Sequence, residues 1–311
     1  MGHHSTTVWL GFTALVVGLL VLDLGVLNRR SHALRFREAM GWSLGLIAFA
    51  FGFGLLILWR EGAQHALEYY TGYLIELSLS VDNLFVFILI FTYFSVPAAA
   101  QAKVLKWGIL GAIVMRFVMI ALGALLLQRF EWIVYLFGGI LVLTGIRMLW
   151  GKEERIQPEK NPMVRLARRV LPFADSYHGS QFFCRTRQGR WLATPLLLVV
   201  LVVEWSDLVF AIDSIPAIFA VTRDPFLVYS SNIFAILGLR ALFFVLAGMM
   251  DKFVYLKPGV ALILVFVGLK MALSHWLHLP TTASLAVVLI MLGGAVGLSL
   301  HRSAREARAK V

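Results

Sequence analysis

Two long apolar stretches of this sequence, residues 70–96 and 193–221, contain acidic side chains where a membrane-spanning helix would lie deepest in the bilayer. The five carboxylates are Glu76, Asp82, Glu204, Asp207 and Asp213. A single ionised side chain at the bilayer centre costs about 2.5–3.5 kcal/mol on insertion scales. Five carboxylates in two stretches therefore predict a function that needs negative charge inside the membrane, and we expect that function to be cation binding.

Further oxygen ligands accompany the carboxylates. They are the side chains of Ser80, Asn83, Ser214 and Asn232 and the backbone carbonyl of Ile212. None of the eight histidines falls in the central part of an apolar stretch. Hard oxygen ligands suit Mn²⁺, Ca²⁺ and Mg²⁺, whereas zinc and copper sites draw on imidazole and thiolate. The set predicts a transported divalent cation and no bound cofactor, and it leaves these three metals open.

The composition predicts an integral membrane protein. Hydrophobic residues make up 60% of the 311 residues and charged residues 14%, against about 25% charged residues in soluble domains. The single cysteine, Cys184, excludes a disulfide framework and a thiolate metal site. The net charge of +11 predicts basic cytoplasmic loops that face anionic lipid headgroups, and no nucleic-acid partner.

Nine apolar segments are each long enough to cross a bilayer as a helix. They are residues 8–27, 40–59, 70–96, 104–128, 132–150, 193–221, 226–250, 253–277 and 282–300. Lysine and arginine are alternately frequent and rare in the successive connections, which predicts an external N-terminus and a cytoplasmic C-terminus. The expected fold class is all-α, a polytopic membrane protein with nine transmembrane helices.

Landmarks recur along the sequence at a nearly constant spacing. Asn83 matches Asp207 and Arg116 matches Arg240, both 124 residues apart, and 145–148 match 268–271 at a spacing of 123. Because three helices is an odd number, a second three-helix unit would enter the membrane from the opposite side, as in many transporters. We expect an inverted 3+3 helix repeat made of spans three to five and six to eight.

The whole chain, residues 1–311, is expected to form a single transmembrane transporter domain. Its parts are repeat one at 70–150, a basic cytoplasmic loop at 151–191, repeat two at 192–277, and the last span with a basic cytoplasmic tail at 278–311. The loop has a weakly amphipathic piece at 163–171. We expect it to lie on anionic headgroups, with a regulatory or partner-binding role as the alternative.

Spans three and six run in opposite directions and arrange the carboxylates in a column. Asp82 and Asp207 lie near the centres of their spans, while Glu76 and Asp213 each lie roughly 9 Å toward the outside by helical rise. Glu204 lies about one turn from Asp207 on the cytoplasmic side. The expected site is therefore shared by two helices.

Proline predicts an irregularity in span six. On a regular helix Asp213 lies about 120° around the axis from Asp207, which would turn the two carboxylates apart. Pro216 removes an amide donor and frees the carbonyl of residue 212. We expect a break or kink at 212–214 that turns Asp213 inward.

Two arginines also fall at membrane depth. Arg116 and Arg240 are expected to balance the charge of the acidic site. Attraction of an anionic substrate, and replacement of the cation when the site empties, are the alternatives. Asp23, near the inner end of span one, is expected to pair with Arg29 or Arg30 in a structural role.

The sequence resembles the TerC family of membrane proteins and, within it, the Alx-like branch. The resemblance is carried by 23–26, 76–83, 204–216 and 231–242, and it runs over nearly the whole chain. It implies a multi-pass protein of the bacterial inner membrane, related to the LysE transporter superfamily. It also implies manganese export, with acidic residues at the five positions above handling the metal.

The residues and the resemblance together predict a secondary transporter, and no enzyme, that exports Mn²⁺ in exchange for protons. The sequence has no Gly-x-x-x-x-Gly-Lys loop for ATP, so the energy is expected to come from ion gradients. Exchange of Ca²⁺ or another divalent cation for protons is one alternative, and a membrane scaffold in metal or tellurite stress is another. The oligomeric state stays open.

Overall fold

The computed structural model describes residues 5–26, 36–130, 132–150, 161–185, 189–247, 255–273 and 279–309. Its helices are α1 (Thr6–Val26), α2 (Phe36–Glu61), α3 (Ala63–Tyr93), α4 (Ala98–Arg129), α5 (Ile133–Trp150), α6 (Pro162–Val170), α7 (Pro195–Phe219), α8 (Pro225–Ala247), α9 (Leu256–Ala272) and α10 (Thr281–Ala309). Its strands are β1 (Phe183–Arg185) and β2 (Trp191–Ala193). Proline opens α6, α7 and α8, at a position where a missing N–H costs no helical hydrogen bond.

Eight of the described helices are long and apolar enough to cross a membrane: α1, α2, α3, α4, α5, α7, α8 and α10. They carry large exposed apolar side chains, such as Leu10, Val114 and Leu143, which a bilayer would cover. The chain is thus a multi-pass helical membrane protein. The predicted eighth span at 253–277 corresponds to α9, of which 17 residues are described, and the count of nine spans stays a prediction.

The centre of the bundle is α8, which is buried along nearly its whole length. Both α3 and α4 pack against α7 and α8, while α5 packs along α9. The last of these contacts depends on glycine, because a Cβ on Gly138 of α5 would lie 2.8 Å from the carbonyl oxygen of Gly268 of α9. Small residues allow such close helix approach inside membranes.

Residues 161–185 and 189–194 form a small cap on one end of the bundle. Asn161 caps α6 by accepting hydrogen bonds from the backbone of Met163 at 2.9 Å and of Val164 at 3.4 Å, so the predicted amphipathic piece at 163–171 is helical. Tyr177 donates to the carbonyl of Phe94 at 2.7 Å, and the apolar side of the cap joins the core of α3, α4 and α7. This part of the predicted loop is therefore folded onto the protein.

The cap also contains the antiparallel pair β1–β2, in which Phe183 faces Ala193 and Arg185 faces Trp191. The sequence predicted an all-α fold. The membrane-spanning part is all-α, but the cap contains two short strands. Short strands outside the spans leave no hydropathy signal, which is why the sequence pattern missed them. Residues 151–160 of the predicted loop lie outside the described ranges.

Candidate functional site

Arg116 of α4 joins the two helices that carry the predicted carboxylates. Its Nη1 donates to Glu76 Oε1 of α3 at 2.5 Å and to Ser214 Oγ of α7 at 2.7 Å. Its Nη2 lies 3.9 Å from Asp207 Oδ1, also on α7. The Arg116 and Glu76 side chains are fully buried and that of Asp207 is 4% exposed. The prediction that α3 and α7 present their acidic groups to a common region agrees with this geometry.

The heights of these residues follow from the helix directions. Glu76 and Ser214 share one nitrogen of Arg116, so they lie level with each other. Seven residues separate Glu76 from Asn83, and seven separate Asp207 from Ser214. Gly72 of α3 lies against Ile218 of α7, so α3 and α7 run in opposite directions and equal rise brings Asn83 level with Asp207. The cluster is a two-helix column, about 10 Å long by helical rise.

Several buried polar atoms of this column have no hydrogen-bond partner within the described residues. On α3 they are Glu76 Oε2, Ser80 Oγ and Asn83 Nδ2, which share one helix face at a spacing of four and three residues. On α7 the corresponding atom is Asp207 Oδ2. Buried polar groups normally have partners, so the unpaired oxygens of this set, as distinct from the donor Asn83 Nδ2, indicate a site that a ligand would complete.

Asn232 of α8 is the third predicted amide ligand. It is fully buried, and both polar atoms of its side chain lack a hydrogen-bond partner in the described structure. The neighbouring Ser231 lies opposite Gly72 of α3, where a Cβ would stand 3.1 Å from its Oγ. An unsatisfied amide at this depth is costly, so Asn232 stays a candidate ligand beside α3.

Glu204 lies one turn from Asp207 on the same face of α7. It is half-buried, and its carboxylate packs directly against the backbone of Gly111 of α4, in the space a Cβ would fill. The backbone of Asp82 lies in α3, next to Asn83, whereas the Asp82 side chain is outside what the structure describes.

Asp213 lies on another face of α7. Its Oδ1 accepts a hydrogen bond from Thr144 Oγ1 of α5 at 2.8 Å, and the positive charge of Arg147, also on α5, acts on the carboxylate. Asp213 therefore faces α5, although the next residue in the sequence, Ser214, bonds Arg116 of α4.

The predicted break in this helix is wrong. Helix α7 continues from Pro195 to Phe219 with Pro216 inside it, so residues 211–216 remain helical. The helix therefore does not open to turn Asp213 toward Asp207, and the 120° between them persists. Ile212 points its side chain outward, 44% exposed, and its carbonyl lacks the usual donor four residues later because that residue is proline.

Among the described side chains, Arg240 of α8 pairs with Asp23 and not with Glu76 or Asp207. Its Nη2 donates to the Asp23 carbonyl oxygen at 2.6 Å and to Asp23 Oδ1 at 2.9 Å, and Trp42 of α2 donates to the same Oδ1 at 2.7 Å. Asp23 was expected to pair with Arg29 or Arg30, which lie outside the described residues. The partners that the structure describes come from α2 and α8.

A small cavity adjoins the column, and a larger one lies at an end of the helix bundle. The smaller cavity, about 10 Å³, has room for roughly one water molecule. It is lined by Asp207 together with Val203, Gly108 and Leu239. The larger, about 330 Å³, opens where α4, α7 and α9 end. Phe219 lines it and packs on Gly123 of α4, where a Cβ would lie 2.8 Å from the ring.

Some residues that contact the predicted charged groups were not singled out by the sequence. Thr144 bonds Asp213, Gly111 makes space for Glu204, and Trp42 completes the Asp23 pair. No local pattern marks them, because each acts on a residue of another helix. Across the described ranges, no group of three or more histidine, cysteine, aspartate or glutamate side chains is placed to hold a metal ion.

The fold and the site together define a polytopic helical membrane protein with a buried cluster of carboxylates and arginine. Comparison with known proteins agrees with this class: the model of the "Integral membrane protein TerC family" matches residues 61–308. The chain belongs to the TerC family. No solved structure matches it.

Curated relatives resemble the chain over most of its length. A Myxococcus xanthus protein named "Uncharacterized membrane protein STKORF319" is 49% identical over 96% of this chain and 93% of its own length. The Escherichia coli (strain K12) protein named "Putative membrane-bound redox modulator Alx" is 47% identical over 90% of both chains. A Rickettsia felis protein named "Uncharacterized membrane protein" is 40% identical over 91% of this chain and 94% of its own.

Proposed function

We propose that this protein is a secondary transporter that exports a divalent cation, with Mn²⁺ as the preferred ion, across the bacterial cytoplasmic membrane in exchange for protons. The ion would bind between α3 and α7, with Glu76 and Asp207 as its principal ligands. Asp82, Ser80 and Asn83 would complete the ligand set on α3. The carboxylate, hydroxyl and amide oxygens of these side chains are hard ligands, as Mn²⁺, Ca²⁺ and Mg²⁺ require.

One observation carries the proposal: Glu76 and Asp207, buried on two different helices, each keep a carboxylate oxygen without a hydrogen-bond partner among the described residues. Burying a carboxylate in a membrane is expensive, and leaving it half-satisfied is more so. A structural pair would be expected to use both oxygens. A divalent ion that enters and leaves would use the free ones.

The formal charges favour a cation as well. Within the described residues, Arg240 bonds Asp23 and Arg116 is the arginine that bonds the column. Glu76, Asp207 and Arg116 sum to one negative charge before Asp82 and Glu204 are counted. The surplus suits an ion of charge two with exchangeable protons. Ligand chemistry alone leaves Ca²⁺ as an alternative to Mn²⁺.

The contact between α5 and α9 supports the inverted repeat on which alternating access would depend. Gly138 contacts Gly268, and Gly145 contacts Ala261. In the predicted repeat, which has a spacing of 123 residues here, Gly138 corresponds to Ala261 and Gly145 corresponds to Gly268. Replacing each residue by its counterpart therefore converts the Gly138–Gly268 contact into the Gly145–Ala261 contact. That is the self-complementary pattern of a two-fold axis, here between antiparallel helices. Under the external N-terminus predicted from charge, the cavity beside Phe219 would open to the outside.

The test is ion flux into inside-out proteoliposomes that contain the purified full-length protein. We expect Mn²⁺ uptake that increases when the lumen is acidic, with Ca²⁺, Mg²⁺ and Zn²⁺ as comparison ions. Glu76→Gln and Asp207→Asn should each reduce the uptake at least about 10-fold, because each removes a charged ligand worth more than about 1.4 kcal/mol. Absence of Mn²⁺ movement under every condition would refute the proposal.

Two other functions deserve comparison. A membrane scaffold for metal or tellurite stress would retain metal tolerance in the folded Asp207→Asn protein, whereas a transporter would lose it. Relatives carry the name "Putative membrane-bound redox modulator Alx". This chain has the single cysteine Cys184, which is buried, so an intramolecular dithiol–disulfide couple is not available to it.

A further inference from the structure

We propose that Arg116 is a tethered competitor of the transported cation. In the present conformation its guanidinium occupies the space between Glu76 and Asp207, and it must leave that space when the ion binds. The inference rests on the proposed cation transport and adds a mechanism to it. It gives Arg116 a role different from that of a fixed counter-ion.

The position of the guanidinium is the first observation. Arg116 reaches from α4 to both helices that carry the carboxylates, with Nη1 on Glu76 and Ser214 and Nη2 3.9 Å from Asp207. A bound ion would use the free oxygens of these same two carboxylates, so the ion and the guanidinium compete for one space. The positive charge of Arg116 would also repel a divalent ion at this distance, more strongly than in water because the site is buried.

The second observation is how loosely the arginine is satisfied. Arginine has five N–H donors, yet Arg116 Nε and Nη2 have no hydrogen-bond partner in the described structure. Glu76 Oε2 and Asp207 Oδ2 likewise have no hydrogen-bond partner among the described residues. A permanent buried ion pair is stabilising when its remaining donors and acceptors are paired. Here the contact is partial, as expected of an occupant that can be displaced.

The third observation is that the described residues hold no ready-made metal cluster. Withdrawal of Arg116 would free both carboxylates at once for such a cluster. The return of Arg116 would then help to expel the ion, and its guanidinium would balance the charge of the carboxylates in the empty carrier. Arg240 has no such role, since Asp23 and its carbonyl hold it elsewhere.

The experiment measures Mn²⁺ affinity of the purified full-length protein by the loss of the free Mn²⁺ signal in electron paramagnetic resonance. Ser214→Ala removes one of the hydrogen bonds that hold the guanidinium between the carboxylates. If Arg116 competes with the ion, Ser214→Ala should bind Mn²⁺ up to about 10-fold more tightly. The matched control is Ser206→Ala on the same helix, because Ser206 bonds its own helix at Val202 and should leave the affinity unchanged.

Arg116→Gln gives a second measurement. It should bind Mn²⁺ more tightly than Ser214→Ala does, while its transport in proteoliposomes slows because release is no longer assisted. Weaker or equal Mn²⁺ binding by Ser214→Ala would overturn the inference and would instead make Ser214 a ligand or a bystander. If Arg116→Gln fails to fold, Ser214→Ala decides alone. If neither the wild type nor any variant binds Mn²⁺, the proposed function fails and the inference with it.

Discussion

Gly138 and Gly268 lie against each other's backbone where α5 crosses α9, and a Cβ on either would stand 2.8 Å from the carbonyl oxygen of the other. Backbone oxygens cannot rotate away as a side chain can. The approach of these two helices is therefore set by the absence of two side chains, one in each predicted repeat.

Alanine at this crossing should loosen the helix pair. We expect Gly138→Ala or Gly268→Ala to cost about 1–3 kcal/mol of stability, as overpacking does. Gly139→Ala is the matched control, since nothing lies within 4 Å of a Cβ there, and alanine is the better helix former by about 1 kcal/mol. Thermal unfolding in detergent would measure both. Equal midpoints for Gly138→Ala and Gly139→Ala would contradict the described contact.

The Asp23–Arg240 pair should be structural. Removing one partner, as in Asp23→Ala or Arg240→Gln, leaves a buried charge alone and should cost about 3–5 kcal/mol. Trp42→Phe removes one hydrogen bond to the same oxygen and should cost about 1 kcal/mol. Thermal unfolding midpoints should follow this order. Mn²⁺ affinity of the protein that remains folded should stay at the wild-type value, and a parallel loss of affinity would argue that this pair belongs to the site.

Gly111 should control the position of Glu204. A Cβ at Gly111 would occupy the place of the Glu204 carboxylate, which is the mobile end of a side chain and can move aside. Gly111→Ala is therefore expected to keep stability within about 1 kcal/mol of the wild type while displacing the carboxylate. Flux measurements should show Gly111→Ala to be as slow as Glu204→Gln. Normal flux in Gly111→Ala would separate Glu204 from the transport path.

Asp213 should not contribute to equilibrium cation binding. It faces Thr144 of α5 and not the column of Glu76 and Asp207. We expect Asp213→Asn to change Mn²⁺ affinity less than about 3-fold, whereas Asp207→Asn reduces it at least about 10-fold, the ratio that corresponds to 1.4 kcal/mol. Thr144→Val is the companion change, since it removes the donor but keeps the shape. A large loss of affinity in Asp213→Asn would return this residue to the ligand set.

The sequence by itself determined the membrane class, the positions of eight candidate spans and the identity of Glu76, Asp207 and Arg116 as charged residues at membrane depth. Hydropathy is a property of each segment alone, so membrane spans can be predicted without knowing which helices pack together. The family resemblance was also correct, because it depends on residue order. Even the level of Glu76 with residues 213–214 followed from helical rise and opposite helix directions.

Tertiary structure decided which of these residues meet. Arg116 bonds Glu76, 40 positions away, and Ser214, 98 away, while its sequence counterpart Arg240 bonds Asp23 at a separation of 217. The unbroken α7 keeps Asp213 turned toward α5. Such pairings depend on how each helix is rotated about its axis, and that rotation is fixed by packing against helices distant in the chain.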